Sequence, residues 1–497
     1  MAKPRQRWHK GAVRRLPLLF LATLALAGCD RRAKDAPVVV SAIGSAPRVV
    51  APADLTDALP PRLLLAATAQ GLVRLDAAGQ IEPGLAESWT VIDDGLSYIF
   101  RLREARWSDG QPVTSEQVVT ILHRALRDAT GNPAARFLTA VDDVRAMTPE
   151  VIEIDLSRPR PDLLRRLAQP ELALFRMNPP GGAGPLRLID RSPGAVTLRP
   201  MPDDSGDPDE ERAAPDPRDD VELIGERAAR AIVRFADHRS DMVTGGTVAD
   251  WPLIAGVDVP ASSIHRDPAQ GLFGLAVVDR HGFLADAAAR AAVAAAIDRQ
   301  GMVAAIAPDW TPEENLLPDP LDSAAAPAVP SWATGTLDQR RAAARIVTAA
   351  WRATHPEPLA LRVALPAGPG ATLLYGWIAA SLKAIGIEPQ RVPLDADADL
   401  RLIDQVSPFD TARWYLATAC APCGDEAQTA IDAARTADTS AARAQAIAKA
   451  DAALTADVAF VPLATPLRWS LVAPGLDLWQ ANPRAWHPLN ELRSRTK

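Results

Sequence analysis

The chain has 497 residues, with 54 Lys+Arg against 61 Asp+Glu for a net charge of −7, and 48% of its residues are hydrophobic. That length and apolar content provide for two or three domains with sizeable cores. An acidic balance without basic tracts in the body of the chain argues against nucleic acid as a partner. The sequence offers no Gly-x-Ser-x-Gly, His-Glu-x-x-His or phosphate-binding glycine loop, so it supports neither catalysis nor a cofactor.

The N-terminus reads as an export signal. Lys3, Arg5, Arg7, Lys10, Arg14 and Arg15 precede any acidic residue, and a 12-residue, mostly apolar run follows from Leu16 to Ala27. That run is too short for a bilayer-spanning helix, which takes about 20 residues, and its flanks are those of a secretory signal. The segment ends Leu26-Ala27-Gly28-Cys29, which resembles the bacterial lipobox. The resemblance implies cleavage after residue 28, lipidation of Cys29 and a polar stalk over 29–36. Asp30 resembles the inner-membrane retention signal of enteric bacteria. Loss of residues 1–28 leaves 48 Lys+Arg against 61 Asp+Glu, a balance of −13.

Further along, Val38–Ala42 has the continuous apolar character of a buried strand. Pro60-Pro61 opens a helix running to Gln70. Leu72–Leu75 and Gln80-Ile81 flank a turn at Asp76–Gly79, and Ser88–Val91 and Tyr98–Leu102 flank a second turn at Asp93–Gly95. Thr114, with Gln117 three residues on, caps a helix reaching Arg127. Pro200–Asp220 is acidic and almost without apolar residues, the composition of an exposed loop. Ala285–Ala307 has helical spacing, and Asp338 caps a helix to Ala353. Leu359–Leu365 and Ile387–Leu394 read as strands around a helix at Ala371–Ala384. Leu400–Ile403 and Ala412–Leu416 read as strands, and helices follow over 425–436 and 440–456. Strands and helices alternating in this way predict α/β lobes.

Several segments, in order, resemble the family 5 extracellular solute-binding proteins of ABC importers, the oligopeptide- and dipeptide-binding group. They are Gly71–Asp76, Pro83-Gly84-Leu85-Ala86-Glu87-Ser88-Trp89, Asp94–Arg103, and Trp107-Ser108-Asp109-Gly110-Gln111-Pro112-Val113-Thr114. Gly184-Pro185-Leu186-Arg187-Leu188, Ala295–Arg299, Ile385-Gly386-Ile387 and Val461-Pro462-Leu463 follow. The resemblance spans about residues 38–490. The Trp107 segment is itself a turn with a packed indole, so it marks a scaffold more than a ligand contact.

The resemblance implies an α/β, two-lobed periplasmic binding protein-like fold with an extra inserted α+β domain in the first lobe. Residues 37–66, 175–275 and 466–497 would form lobe I, 67–174 the inserted domain and 276–465 lobe II. It further implies a monomer, lipid-anchored on the periplasmic side of the inner membrane. That protein would capture a peptide or other small solute between its lobes for a permease and its ATPase subunits. Arg413, Trp414 and Tyr415 match the family's ligand-contacting segment, with Arg413 suited to an acidic group. The acid that pairs with a peptide's α-ammonium in that segment is missing, since none occurs before Asp425. Gln70 stands where many members have Glu. Trp251, Trp310 and Trp377 are further candidate pocket residues.

Cys420 and Cys423, as Cys-Ala-Pro-Cys, leave three readings open. The first is a local disulfide stiffening the loop after Tyr415, expected outside the cytoplasm. The second is a thiol-disulfide redox protein, because Cys-x-Pro-Cys resembles the thioredoxin-like site. The third is a metal or metal-chelate receptor using soft thiolates. No resident metal is expected, because the histidines (His123, His238, His265, His281, His355, His487) lack ligand spacing.

Overall fold

The computed structural model describes residues 36–127, 137–201, 216–318 and 321–494. The export segment, Cys29, and most of the acidic stretch after Pro200 lie outside the described residues. The chain from Pro37 onward forms one compact unit.

Val38–Ile43 forms the centre of a seven-stranded sheet. It pairs in parallel with Val221–Glu226 on one side and Met242–Gly246 on the other. Its residues are nearly all buried, as expected for a strand covered on both faces. The buried Ser41 hydroxyl is satisfied by donating to Glu226 Oε1 at 2.7 Å. Leu186–Ser192 and Ala195–Pro200 extend one edge as an antiparallel hairpin, and Trp469–Val472 and Ile264–Arg266 extend the other. The helix Leu59–Thr68 packs on this sheet. Pro60 and Pro61 sit in its first turn, where a missing N–H costs no helical bond.

A separate four-stranded antiparallel sheet is ordered Ala86–Ile92, Ser97–Leu102, Val151–Leu156, Val141–Thr148. The helix Ser115–Arg127 covers it. Thr114 and Gln117 form the expected reciprocal cap, at 3.2 and 3.5 Å. Trp107 is buried and donates its indole N–H to Gln117 Oε1 at 2.7 Å, with Arg176 stacked over its ring. Gly110 turns the chain at φ +85°, a region that favours glycine, and its N–H returns to Trp107 O. The Trp107 segment is thus scaffold.

A five-stranded sheet runs Glu388–Pro393, Ala360–Leu365, Leu400–Val406, Gly271–Val277, Phe460–Ala464. The lobe boundary expected at 275 falls inside Gly271–Val277. Three elements differ from the sequence expectation. The alanine-rich stretch is two helices, Ala287–Ala296 and Arg299–Ile306, because Asp298 breaks the first and caps the second through Gly301 N–H. Thr336, rather than Asp338, caps the helix Leu337–Thr354, with Gln339 closing a capping box. Ala412–Ala419 is a helix rather than a strand.

Asp457 receives Arg280 Nη1 and Arg290 Nη2, each at 2.7 Å, and the Gly424 N–H at 2.9 Å. Those partners overcome the upward push of burial and hold its carboxyl below the ordinary range.

The hairpin Val73–Leu75/Ile81–Pro83 meets the C-terminal segment through Arg74, Glu82 and Glu491. Burial pushes Glu82 up to about 7 from 4.5. The Arg74 charge opposes the shift, and the hydrogen bond and like charge of Glu491 add to it. A carboxyl raised in the folded state stabilises fully below its unfolded pKa and loses that stability as pH rises through the folded value. Glu82→Gln, which retains a neutral side chain, should therefore melt like the parent near pH 4.5 and above it at pH 8. Thermal midpoints across that range provide the check, and equal midpoints at pH 8 would contradict the shift.

Candidate functional site

The chain passes between the seven- and five-stranded sheets twice, from Ile264–Arg266 to Gly271–Val277 and from Phe460–Ala464 to Trp469–Val472. The two crossings lie side by side, with Asp267 N–H donating to Arg468 O at 3.1 Å. Asp267 also accepts from the Asn482 N–H at 3.0 Å, and Arg468 binds Asp404 at 2.6 Å. A small open crevice lies beside them, lined in part by Gln270, Leu272, Glu313 and Phe460. Burial raises the Glu313 carboxyl above its ordinary range.

Elsewhere the segment Arg160–Gln169, next to the four-stranded sheet, bridges to residues 408–435. Arg160 Nη2 donates to Arg435 O at 3.0 Å and Gln169 Nε2 to Pro408 O at 3.1 Å. Arg165 pairs with Asp410, which also holds Arg484. The Arg166 guanidinium stacks 4.7 Å from the Phe409 ring centre. The contacts of Arg160, Arg165, Arg166 and Gln169 join residues more than 200 positions apart in sequence, and three of the four fall on 408–410, just before the helix Ala412–Ala419.

That helix carries the sequence-predicted Arg413, Trp414 and Tyr415. A short apolar run cannot be assigned to helix or strand by periodicity, and here two local facts favour the helix. Ala412, Leu416, Ala417 and Ala419 are strong helix formers. The helix start is capped from outside, with Asp322 accepting from Ala412 N–H at 2.8 Å and from the Thr411 hydroxyl at 3.0 Å. Asp322 also accepts from Arg443 Nη2 at 2.6 Å.

The helical geometry separates the three residues. Trp414 and Tyr415 meet edge to face, 5.0 Å apart, within an apolar cluster including Leu272, Leu316 and Phe460. Tyr415 is only 1% exposed, and burial pushes its hydroxyl up to about 12. Arg413 instead belongs electrostatically to a group of arginines. Burial first, then the charges of Arg166 and Arg160, push its guanidinium down to about 9. Arg160 is pushed down to about 10 by burial and by Arg158 and Arg443.

Arg160, Arg166, Arg413 and Arg443 are 3%, 2%, 5% and 6% exposed. Two carboxylates stand among them, Asp162 and Asp322. Asp162 Oδ2 takes Arg166 through Nε at 2.7 Å and through Nη2. Against the push of burial, that guanidinium holds the Asp162 carboxyl below its ordinary range. Nη1 of Arg413, Nε and Nη1 of Arg443 and Oδ1 of Asp162 are buried without a hydrogen-bond partner. Buried polar groups are ordinarily paired, so this gathering is the most unusual polar feature at the junction.

The other expectations fall elsewhere. Trp310 is buried, with its ring against Phe273 and its indole N–H on Thr465 O. Trp251 packs edge-on to Trp469, and Trp377 packs on the same core. Gln70 donates to Ala183 O at 2.7 Å, beside the first-lobe hairpin.

Cys420 and Cys423 are joined as a disulfide. Cys420 ends the helix Ala412–Ala419, and the helix Asp425–Thr436 begins only after Gly424. A thiolate at Cys420 would face a helix C-terminus, the unfavourable end of the dipole for an anion. The geometry therefore lacks what a thioredoxin-like cysteine needs. Among the described residues, no group of three or more His, Cys, Asp or Glu is placed to hold a metal ion.

The sequence reading missed Arg160, Arg166, Arg443, Asp162 and Asp322. Arg158-Pro159-Arg160-Pro161-Asp162 was the one local hint, a dense charge pattern fixed by two prolines.

Comparison with known proteins gives this geometry a context. The profile of bacterial extracellular solute-binding proteins, family 5 Middle, matches residues 80–419. The probable deoxycholate-binding periplasmic protein YgiS of Escherichia coli is 35% identical over 121 residues, 21% of this chain and 23% of that protein. The glutathione-binding protein GsiB of E. coli is 32% identical over 161 residues, 32% of this chain and 31% of that protein. These matches thus span between about a quarter and a third of the relatives' length. The Haemophilus influenzae OppA complex with RPPGFSPFR superposes with a TM-score of 0.75 at 17% identity, covering 91% of this chain and 98% of that one. At that identity the likeness shows the fold, a mixed α/β periplasmic binding protein fold with several sheets.

Asp322 ties the helix start to Arg443. Asp322→Ala removes a cap worth about 1 kcal/mol and unpairs a buried guanidinium. A loss of about 2–3 kcal/mol is expected, discounted for the carboxylate's partial exposure. Chemical denaturation monitored by tryptophan fluorescence measures it, and an unchanged midpoint would contradict the assigned role.

Proposed function

The chain belongs to the bacterial extracellular solute-binding proteins of family 5, and from that premise we propose that it is the solute receptor of an ABC importer. It is a binding protein rather than an enzyme. In this reading a peptide or other small solute enters between the first lobe, with its inserted domain, and the second lobe. The paired crossings at 267–270 and 465–468 act as the hinge, and the closed form presents the solute to the permease. Residues 37–66, 175–275 and 466–497 would move as lobe I, 67–174 as the inserted domain and 276–465 as lobe II, with the boundary at 275 moved back to the crossing at 267–270 so that the strand Gly271–Val277 stays whole in lobe II.

The observation that carries the proposal is the junction at the helix Ala412–Ala419. Polar groups from two distant parts of the chain are buried there without partners, and a ligand supplies partners on closure. Clefts between domains are common ligand sites, and hinged closure is their common motion. Arg413 faces this junction, while Trp414 and Tyr415 support it from the core. Glu313, beside the crossings, offers a carboxyl to a solute ammonium in place of the acid missing after Tyr415. YgiS and GsiB are named for deoxycholate and glutathione, both of which carry carboxylates.

We further propose that Cys29 is lipidated and holds the receptor at the periplasmic face of the inner membrane, close to the permease. The segment Leu26-Ala27-Gly28-Cys29 supports this.

Two measurements test the reading. A thermal-shift screen of di- to pentapeptides, glutathione and bile acids should yield a solute that stabilises the protein by about 2.7 kcal/mol at a hundred times its dissociation constant. Silence across the panel, with no permease genes nearby, would count against a receptor. In the native host, Cys29→Ser should move the protein from the membrane fraction to the soluble envelope fraction. Retention in the membrane would contradict the anchor.

A further inference from the structure

Closure at the junction sets like charges against each other. Arg160 and Arg166 come from the segment beside the four-stranded sheet, and Arg413 and Arg443 from the second lobe. The four guanidinium groups share two carboxylates, Asp162 and Asp322, so the buried group carries an excess of two positive charges. The repulsion reaches across the junction. Arg166 and Arg160 act on Arg413, and Arg443 acts on Arg160. The donors are also in surplus. Arg413 Nη1 and Arg443 Nε and Nη1 have no acceptor, although both residues are more than nine-tenths buried. The pair of arginines at Asp457 shows the contrast. There both carboxylate oxygens are used, and neither Arg280 nor Arg290 is left with an unpartnered buried nitrogen.

Uncompensated buried charge is costly, and guanidinium donors match the oxygens of carboxylates and phosphates. We infer that the solute is an anion whose acidic group draws the lobes together, bridging Arg160 and Arg166 on one side to Arg413 and Arg443 on the other. This rests on the receptor reading above and names its substrate class. The anion supplies the missing charge and the missing acceptors in one step. Without it, repulsion across the junction favours the open form. The unpartnered Asp162 Oδ1 leaves one acceptor at the same place for a hydrogen-bond donor on the solute.

The test uses the mature chain with acetyl-Ala-Glu-Ala-amide, its Gln and Lys counterparts, citrate and inorganic phosphate. Calorimetry reads affinity and small-angle X-ray scattering reads closure. At least one acidic probe should bind about tenfold or more tightly than a neutral isostere, with a fall in radius of gyration. Arg413→Gln and Arg443→Gln should abolish that preference, and Arg413→Lys should retain part of it. Independently of any probe, ligand-free Arg413→Gln should be more compact than the parent at low salt, because one repelling charge is gone. Equal binding and compaction with the Gln peptide would overturn the charge inference while leaving the receptor intact. No response to any probe, with an unchanged radius in ligand-free Arg413→Gln, would overturn both.

Discussion

The need to neutralise buried guanidinium groups governs the junction between the segment Arg160–Gln169 and the helix Ala412–Ala419. A charge removed from water must find a partner of opposite sign and satisfied hydrogen bonds, or it opposes the fold. Asp162 and Asp322 meet that need only in part. Asp322 is doubly committed, since the carboxylate that receives Arg443 also caps the helix carrying Arg413. Helix placement and charge placement are therefore a single constraint, and the orientation of Arg413, Trp414 and Tyr415 follows from it.

The arrangement also sets where the side chains of this segment go. A strand in this position would place alternate side chains on opposite faces. The helix turns successive residues by about 100° each, so Trp414 and Tyr415 enter the core while Arg413 joins the arginines. The acid that would receive a peptide ammonium is absent from this segment, and arginines gather instead. The Cys420–Cys423 disulfide and the Asp457 hub brace the helix from its other end, where Gly424 is tied to the helix Ser440–Asp457. That brace accounts for the cysteine pair structurally.

Much of the fold was legible because its signals are local. Hairpins announced by Asp76–Gly79 and Asp93–Gly95, the Thr114/Gln117 cap and the Trp107 turn each depend on residues within a few positions of one another. The misread elements depended on distant ones. Ala412–Ala419 is helical partly because Asp322, about 90 residues earlier, caps it. The alanine-rich stretch breaks at Asp298, whose capping role competes with a continuous helical pattern. The candidate site was legible at Arg413 alone. Arg160, Arg166 and Arg443 carry no motif, and only the tertiary fold makes them neighbours.

The most direct test of the central claim is a crystal structure of the protein purified from its own host with its solute retained. The account predicts density for an acidic solute between the inserted domain and the second lobe, within hydrogen-bond distance of Arg413 and Arg443. A solute bound elsewhere, or a cationic one that leaves those guanidinium groups without acceptors, would contradict it.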